Sequence, residues 1–105
     1  MIIGLTGKNG AGKTAVCEYL KKRSFDYYSL SDEIREEAGR RGFEITREVL
    51  IEVGNELREK HGAGVLAERI LGRLQSDRNS VIDSIRNPSE VDVLKTRGDF
   101  TLPMR

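Results

Sequence analysis

The stretch that decides the fold is Gly7-Lys8-Asn9-Gly10-Ala11-Gly12-Lys13-Thr14. Its fixed positions match the phosphate-loop pattern G-x-x-x-x-G-K-[ST]. The apolar run 1–6 before it has the length and character of a buried strand. Residues 13–23 after it have a helical pattern that ends in cations. Because strand, glycine-rich loop and helix follow in the order that the motif requires, the stretch predicts a phosphate site rather than a simple glycine-rich turn.

The residue types of this loop suit a polyphosphate ligand. Successive backbone N–H groups and a helix N-terminus bind dense negative charge, and glycines let the backbone approach it closely. We therefore predict that residues 7–14 bind the phosphates of ATP, with Lys13 reaching the β- and γ-phosphates. The Thr14 hydroxyl is a predicted ligand of Mg²⁺, which prefers hard oxygen ligands.

Length and charge limit the class of protein. The chain has 105 residues, which is enough for one small domain, predicted at 1–105. Its 18 Lys and Arg against 17 Asp and Glu give a net charge of +1, which offers no argument for nucleic acid or an anionic membrane. With no visible signal peptide and no bilayer-length apolar stretch, we expect a cytoplasmic protein. The single cysteine, Cys17, excludes a disulfide within these residues and is predicted to be a small buried hydrophobe.

Strand and helix patterns alternate along the rest of the chain. Strands are predicted at 1–6, 25–30, 80–83 and 99–102, and helices at 13–23, 32–40, 47–60, 64–76 and 88–97. Predicted N-caps are Ser31 or Asp32, then Thr46, then Asn87, which Pro88 and Glu90 follow at the positions that favour a helix start. The alternation predicts an α/β fold, a three-layer α/β/α arrangement around a short parallel sheet of about four strands.

Three polar stretches follow the first three predicted strands. They are the loop at 7–14, the segment 31–35 and the segment 83–86. In parallel sheets the ligand binds outside the carboxyl ends of the strands. We therefore expect these stretches to meet at one rim of the sheet, and this convergence is a stronger argument than any single motif.

The second stretch places Arg35 one helical turn after Asp32. An ordinary capped helix with a surface ion pair would have the same pattern. Beside a phosphate loop, however, this position suits a second substrate that carries a phosphate. We predict that Arg35 clamps that phosphate with its planar fork. Asp32 is a weaker candidate, either as a base for a hydroxyl acceptor or as a residue that orients the arginine.

The third stretch begins with Asp83, at the predicted end of an apolar strand. In a phosphate-loop protein an aspartate there is the expected partner of Mg²⁺, directly or through water, although a plain strand-end turn would look similar. Arg86 lies just beyond and is predicted to contact phosphates. Since phosphoryl transfer needs positioning and charge neutralisation, Lys13, Arg35, Asp83 and Arg86 are the predicted catalytic residues, and Thr14 and Asp83 the predicted metal ligands.

Together these stretches resemble the nucleoside monophosphate kinase group, with adenylate kinase, dephospho-CoA kinase and archaeal adenylate-kinase-like ATPases as the nearest likenesses. Residues 3–7 are similar to the opening of those proteins, and 31–35 looks like the segment whose arginine holds the acceptor monophosphate. Residues 81–86 look like their third strand and its D-G-x-x-R or D-G-x-R turn, with Ser84 where glycine is common. The resemblance covers about 1–102. It implies transfer of the γ-phosphoryl group of ATP to a nucleotide-like acceptor of the nucleoside monophosphate or dephospho-CoA class.

The resemblance has clear departures. Such kinases continue past the fourth strand with a mobile lid that carries further arginines, a fifth strand and an adenine-binding segment. We therefore expect a kinase-like domain without the usual lid and C-terminal strand. Open alternatives are a regulatory or degenerate nucleotide-binding module without turnover, the N-terminal part of a larger nucleotide-metabolism protein, and another NTPase. A GTPase is disfavoured because no N-K-x-D stretch is present.

The expected partners follow from the same interpretation. They are ATP and a phosphate-bearing small molecule as acceptor. A sheet of three or four strands also leaves an exposed edge, which a second copy of the chain or another partner could cover.

Overall fold

The computed structural model describes residues 1–6 and 11–102. The predicted phosphate-binding residues Gly7, Lys8, Asn9 and Gly10 lie outside the described residues, as do residues 103–105. The elements in chain order are β1 (Ile2–Thr6), α1 (Ala11–Lys22), β2 (Asp26–Ser29), α2 (Leu30–Arg40), α3 (Arg47–His61), α4 (Val65–Leu71), β3 (Ser80–Ile85), α5 (Pro88–Lys95) and β4 (Phe100–Thr101).

All four strands of the described part of the chain belong to one parallel sheet in the order β2-β3-β1-β4. Ile2 of β1 lies opposite Ser80 of β3 on one side and Phe100 of β4 on the other. Strand β2 adds to the outer side of β3, with Asp26 opposite Ser80. The predicted α/β fold with a short four-stranded parallel sheet is therefore confirmed.

Apolar side chains cover the sheet on both faces. The smaller cluster joins Leu5 of β1 and Val81 of β3 to Cys17 and Leu20 of α1. The larger cluster packs the following residues of the sheet and of α2 to α5 together: Ile2, Leu30, Ala38, Val53, Leu57, Val65, Leu66, Ala67, Ile70, Ile82, Ile85 and Leu94. The consecutive residues Val81 and Ile82 of β3 thus serve opposite faces, as the period of a strand requires, whereas Ile85 joins the same cluster as Ile82 beyond an irregularity in the pairing with β1. Cys17 is buried, as predicted.

Two helix starts have the predicted caps. The Thr46 hydroxyl accepts a hydrogen bond from the backbone N–H of Val49 at the start of α3. Asn87 and Glu90 form a complete capping box at the start of α5, with Pro88 at its first position. Both caps depend on residues at most three positions apart, and local sequence predicts such contacts well.

Three predicted boundaries are wrong. Helix α2 begins at Leu30 with Ser29 as its N-cap, so Ser31 and Asp32 lie inside its first turn, because β2 runs into α2 without a loop. Helix α4 ends at Leu71 rather than at residue 76, with Gly72 as its C-cap. Strand β3 continues past Asp83, because its pairing with β1 extends to Ile85 opposite Thr6.

Within the described ranges, every helix is too short or too polar to cross a membrane.

Candidate functional site

The centre of the site is an ion pair between α1 and β3. Lys13 Nζ lies 2.6 Å from Asp83 Oδ1, and each side chain is less than a tenth exposed. The two residues meet because β1, which leads to the phosphate loop, pairs directly with β3. Removing both charges from water is costly, so such a pair persists only where further hydrogen bonds satisfy it.

Asp83 has those further hydrogen bonds. The Tyr27 hydroxyl donates to Oδ2 at 2.7 Å, and the backbone N–H of Ser84 donates to Oδ1 at 2.7 Å. Burial by itself raises the pKa of Asp83, but the hydrogen bonds from Lys13, Tyr27 and Ser84 outweigh it and hold this pKa below its usual range. The carboxylate is therefore ionised at neutral pH.

Ser84 has a backbone conformation that suits glycine better. Its φ is +66°, in the left-handed region, where a Cβ is unfavourable. Its hydroxyl accepts a hydrogen bond from the Ser29 hydroxyl at 3.2 Å, which links β3 to the end of β2. Glycine is common at this position in the kinases that the chain resembles, and the positive φ explains why glycine would suit it.

A broad open cleft lies beside the ion pair, with a volume of about 1680 Å³. Its cationic lining residues come from four helices and from the turn after β3, and they are Lys13, Arg35, Arg47, Arg58, Arg86 and Lys95. One acidic side chain, Asp92, is among the described lining residues. A second part of the wall is apolar and consists mainly of Ile34, Ile45, Leu50, Ile51 and Val91. The cleft therefore suits a molecule with an anionic group and an apolar body.

The structure brings three of the predicted site residues to this cleft, namely Lys13, Arg35 and Arg86. Neither Asp83 nor Thr14 is among the lining residues of the cleft: Asp83 contacts Lys13, and Thr14 is exposed in the first turn of α1. Arg35 is about half exposed and contacts Asp32, with 2.8 Å between Arg35 Nη1 and Asp32 Oδ1. The side chains of Lys13, Arg35 and Arg86 thus meet at one rim of the sheet, as expected.

Two further contacts at the site were missed by the sequence prediction. One is Tyr27, which the sequence presents only as part of an aromatic strand. The other is Glu90, which is fully buried and accepts hydrogen bonds from the backbone N–H of Arg86 (2.7 Å) and Asn87 (3.2 Å). Glu90 Oε2 also accepts from Arg58 Nη2 at 3.2 Å, which ties α3 to α5 at the cleft. The capping pattern predicted the Asn87 contact, but nothing local indicated Arg58.

The oxygen ligands available suit a magnesium ion. In the described ranges, no group of three or more His, Cys, Asp or Glu side chains is placed to hold a metal. Mg²⁺ in phosphate sites usually takes only one or two protein oxygens, and its other ligands are phosphates and waters. The Asp83 carboxylate and the Thr14 hydroxyl fit that requirement.

A family model described as an AAA domain matches residues 3–97. The chain belongs to this AAA family. As a phosphate-loop AAA domain it binds nucleotide, and the loop motif with its strand and helix accounts for that property. The match includes all the elements that surround the cleft, from β1 to α5.

Relatives of this AAA domain include three proteins named UPF0200 protein. The one from Hyperthermus butylicus is 37% identical over 100 residues, which cover 93% of this chain and 54% of the relative. Those from Thermococcus gammatolerans and Thermococcus kodakarensis are each 36% identical over 104 residues, covering 95% of this chain and 54% and 55% of the relative. The chain therefore spans about half the length of the curated relatives it matches.

Proposed function

We propose that this AAA domain binds Mg-ATP and transfers its γ-phosphoryl group to a phosphate-bearing small molecule in the cleft. The observation that carries the proposal is that Arg35 and Arg86 line the same cleft as Lys13, the lysine of the phosphate loop. Two further arginines beside the lysine of the phosphate loop could bind a second phosphate group. The resemblance to nucleoside monophosphate kinases, which implies an acceptor phosphate held by Arg35, supports the same proposal.

On the nucleotide side, residues 7–14 hold the phosphates in this proposal, and Lys13 neutralises their charge. Thr14 and Asp83 would hold Mg²⁺, which when bound offsets the charge that develops on the β- and γ-phosphates. Lys13 Nζ lies 2.6 Å from Asp83 Oδ1, so when nucleotide binds, its ammonium group must contact both this carboxylate and the phosphates. Asp83 remains ionised because its other hydrogen bonds persist.

On the acceptor side, Arg35 and Arg86 would hold the acceptor phosphate. Guanidinium groups suit this task, since their planar forks bind two phosphate oxygens at once. The surplus of cations over Asp92 along the cleft favours an anionic ligand. The apolar wall that includes Ile45 and Ile51 supports an acceptor with a base or another apolar body, such as a nucleotide.

The proposed reaction is a direct displacement. An oxygen of the acceptor phosphate forms a bond to the γ-phosphorus, the bond from that phosphorus to the β–γ bridging oxygen breaks, and ADP leaves with the electron pair. A phosphate oxyanion has no proton to lose, so this acceptor needs no general base. For a hydroxyl acceptor of the dephospho-CoA class, the sequence offered Asp32 as the base, but Asp32 is not among the lining residues of the cleft and contacts Arg35, so its better-supported role is to orient that arginine.

The test is acceptor-dependent release of ADP, measured across a panel of nucleoside monophosphates and dephospho-CoA. We expect one acceptor to stimulate release strongly, and Arg35→Ala to lower the stimulated kcat/KM by about 10- to 100-fold, since a charge-assisted hydrogen bond contributes about 1.5–3 kcal/mol. Arg40→Ala is the matched control, because Arg40 is exposed on the same helix and bonds Glu37. Equal ADP release with and without every acceptor would contradict the kinase proposal and favour an NTPase.

A second candidate is a nucleotide-binding module that acts within a longer protein. It is favoured by one observation, that the curated relatives are about twice as long as the matched region. This candidate predicts tight binding of Mg-ATP by calorimetry with no ADP produced in the presence of any acceptor. ADP release that depends on an acceptor would exclude it.

A further inference from the structure

We propose that Tyr27 is a positioning residue for the metal of the nucleotide site, acting through Asp83. Its hydroxyl would fix the carboxylate so that Oδ1 stays on the side of Lys13 and the phosphate loop. The inference rests on the proposed role of Asp83 as the carboxylate that supports Mg²⁺. It adds a residue from β2, a strand that carries none of the predicted metal or nucleotide ligands.

The carboxylate of Asp83 is held from two sides. Oδ1 accepts from Lys13 Nζ at 2.6 Å and from the backbone N–H of Ser84 at 2.7 Å. Oδ2 accepts from the Tyr27 hydroxyl at 2.7 Å. The two donors at Oδ1 come from α1 and from the adjoining residue, whereas among the described residues the donor at Oδ2 is Tyr27, on the neighbouring strand β2.

The hydrogen bond from Tyr27 becomes more important once a nucleotide is present. Because Lys13 would then share its contact between Asp83 and the phosphates, Oδ1 would be held less strongly by its donor and become available to a metal or to a metal-bound water. The Ser84 N–H then holds only Oδ1, and it cannot by itself stop the carboxylate from rotating about its own bond. A donor at Oδ2 removes that freedom, which is how outer hydrogen bonds orient metal ligands in general.

Tyr27 is itself firmly held. Its backbone pairs with Val81 in the sheet, and its ring packs against the smaller apolar cluster under α1. Lys21 Nζ lies 4.6 Å from the centre of the ring. Because both the backbone and the ring of Tyr27 are held in place, the hydroxyl stays fixed and restricts the orientation of the carboxylate.

The experiment measures ADP affinity by calorimetry, once with Mg²⁺ and once with EDTA. The proteins are the parent, Tyr27→Phe, Asp83→Asn and the double variant. We expect Mg²⁺ to tighten ADP binding in the parent and Tyr27→Phe to reduce that gain about tenfold, at the low end of the range for such partners. Affinity in EDTA should stay within about twofold of the parent, because Tyr27 acts on the metal and not on the phosphates. The double variant should match Asp83→Asn.

The matched control is Tyr28→Phe. It makes the same chemical change one residue along β2, where the hydroxyl contacts the carbonyl oxygen of Arg73, at 3.5 Å, rather than the Asp83 carboxylate. We expect Mg²⁺ to increase the ADP affinity of Tyr28→Phe as much as it increases that of the parent. A loss equal to that of Tyr27→Phe would show a general effect of strand β2 and would overturn the inference.

The other possible results distinguish a positioning role of Tyr27 from the proposed metal role of Asp83. If Mg²⁺ increased the ADP affinity of Tyr27→Phe as much as that of the parent, the inference would be overturned and the proposed metal role of Asp83 would be unaffected. Weakening of equal size with Mg²⁺ and with EDTA would show a purely structural tyrosine and would also overturn it. A full gain in Asp83→Asn, or none in the parent, would overturn the proposed metal role together with the inference.

Discussion

The two sides of the site differ in how their charges are balanced. On the nucleotide side, Lys13 and Asp83 are buried and each already has a partner of opposite charge. On the proposed acceptor side, Arg35 and its partner Asp32 are each about half exposed. The first arrangement belongs to the folded core, whereas the second is a solvated surface that a ligand can use. Substitutions on the nucleotide side should therefore change stability as well as binding, and those on the acceptor side should change function alone.

The largest effect is expected from Lys13→Ala. It leaves the Asp83 carboxylate buried without its counter-charge, and breaking a buried pair in this way costs about 3 kcal/mol or more of unfolding free energy. Because Tyr27 and Ser84 still donate to the carboxylate, we expect the lower end of that range. Urea denaturation followed by circular dichroism measures the change.

Two variants sharpen that result. Lys13→Ala combined with Asp83→Asn should recover part of the loss, since the second change removes the unpaired charge. Lys22→Ala, on an exposed residue of the same helix, should change the unfolding free energy by less than about 0.5 kcal/mol. A loss below about 1 kcal/mol in Lys13→Ala would contradict the view that the nucleotide side is part of the core.

The next effect is expected at Glu90, whose carboxylate joins Arg58 of α3 to the backbone of Arg86. Glu90→Gln should cost about 2 kcal/mol of unfolding free energy, because the buried carboxylate accepts from Arg58 and from two backbone N–H groups and an amide has only one acceptor. Asp92→Asn is the control, since it makes the same change on an exposed residue of α5. Thermal unfolding of the two variants under one condition should give clearly different midpoints, and equal midpoints would contradict the expected role of Glu90.

A smaller effect is expected at Ser84, beside the Asp83 carboxylate. Its φ of +66° favours glycine, so Ser84→Gly should be more stable than Ser84→Ala by about 1 kcal/mol. Both variants lose the hydrogen bond from Ser29, so the comparison isolates the backbone conformation. Equal denaturation midpoints would mean that residue 84 is free to leave the left-handed region.

The smallest effect on stability is expected from Arg35→Ala. An exposed ion pair three residues apart on a helix contributes only a few tenths of a kcal/mol, so this variant should unfold like the parent. Its effect should instead be seen in acceptor-dependent ADP release. A loss of about 2 kcal/mol in unfolding free energy would place Arg35 in the core and remove the contrast between the two sides.

Local patterns predicted most of the fold and part of the site. The loop motif, the Thr46 cap and the Asn87 capping box each depend on residues within a few positions, so their geometry follows from the sequence. Alternating strands and helices then predicted a parallel sheet. The rim shared by Lys13, Arg35 and Arg86 followed from that sheet, because ligands bind at the carboxyl ends of parallel strands.

Contacts between distant residues were beyond such patterns. Tyr27 and Asp83 are 56 positions apart, and Arg58 and Glu90 are 32 apart. Which side chains meet across two strands depends on the exact pairing register, and which meet across two helices depends on how the helices pack. For the same reason the sequence ended the third strand at Asp83, whereas pairing with β1 continues it to Ile85.

The position of β1 inside the sheet has a consequence for how the protein is made. Of the four described strands this one is synthesised first, yet both of its neighbours come from residues 80–101. At about 5–20 residues per second, the apolar segment Ile2–Thr6 waits roughly 5–20 s for its partners. During that time the strand that leads to the phosphate loop has two open edges. We therefore expect nascent chains to need protection from aggregation until β4 has emerged, when β1 gains the second of its two neighbours.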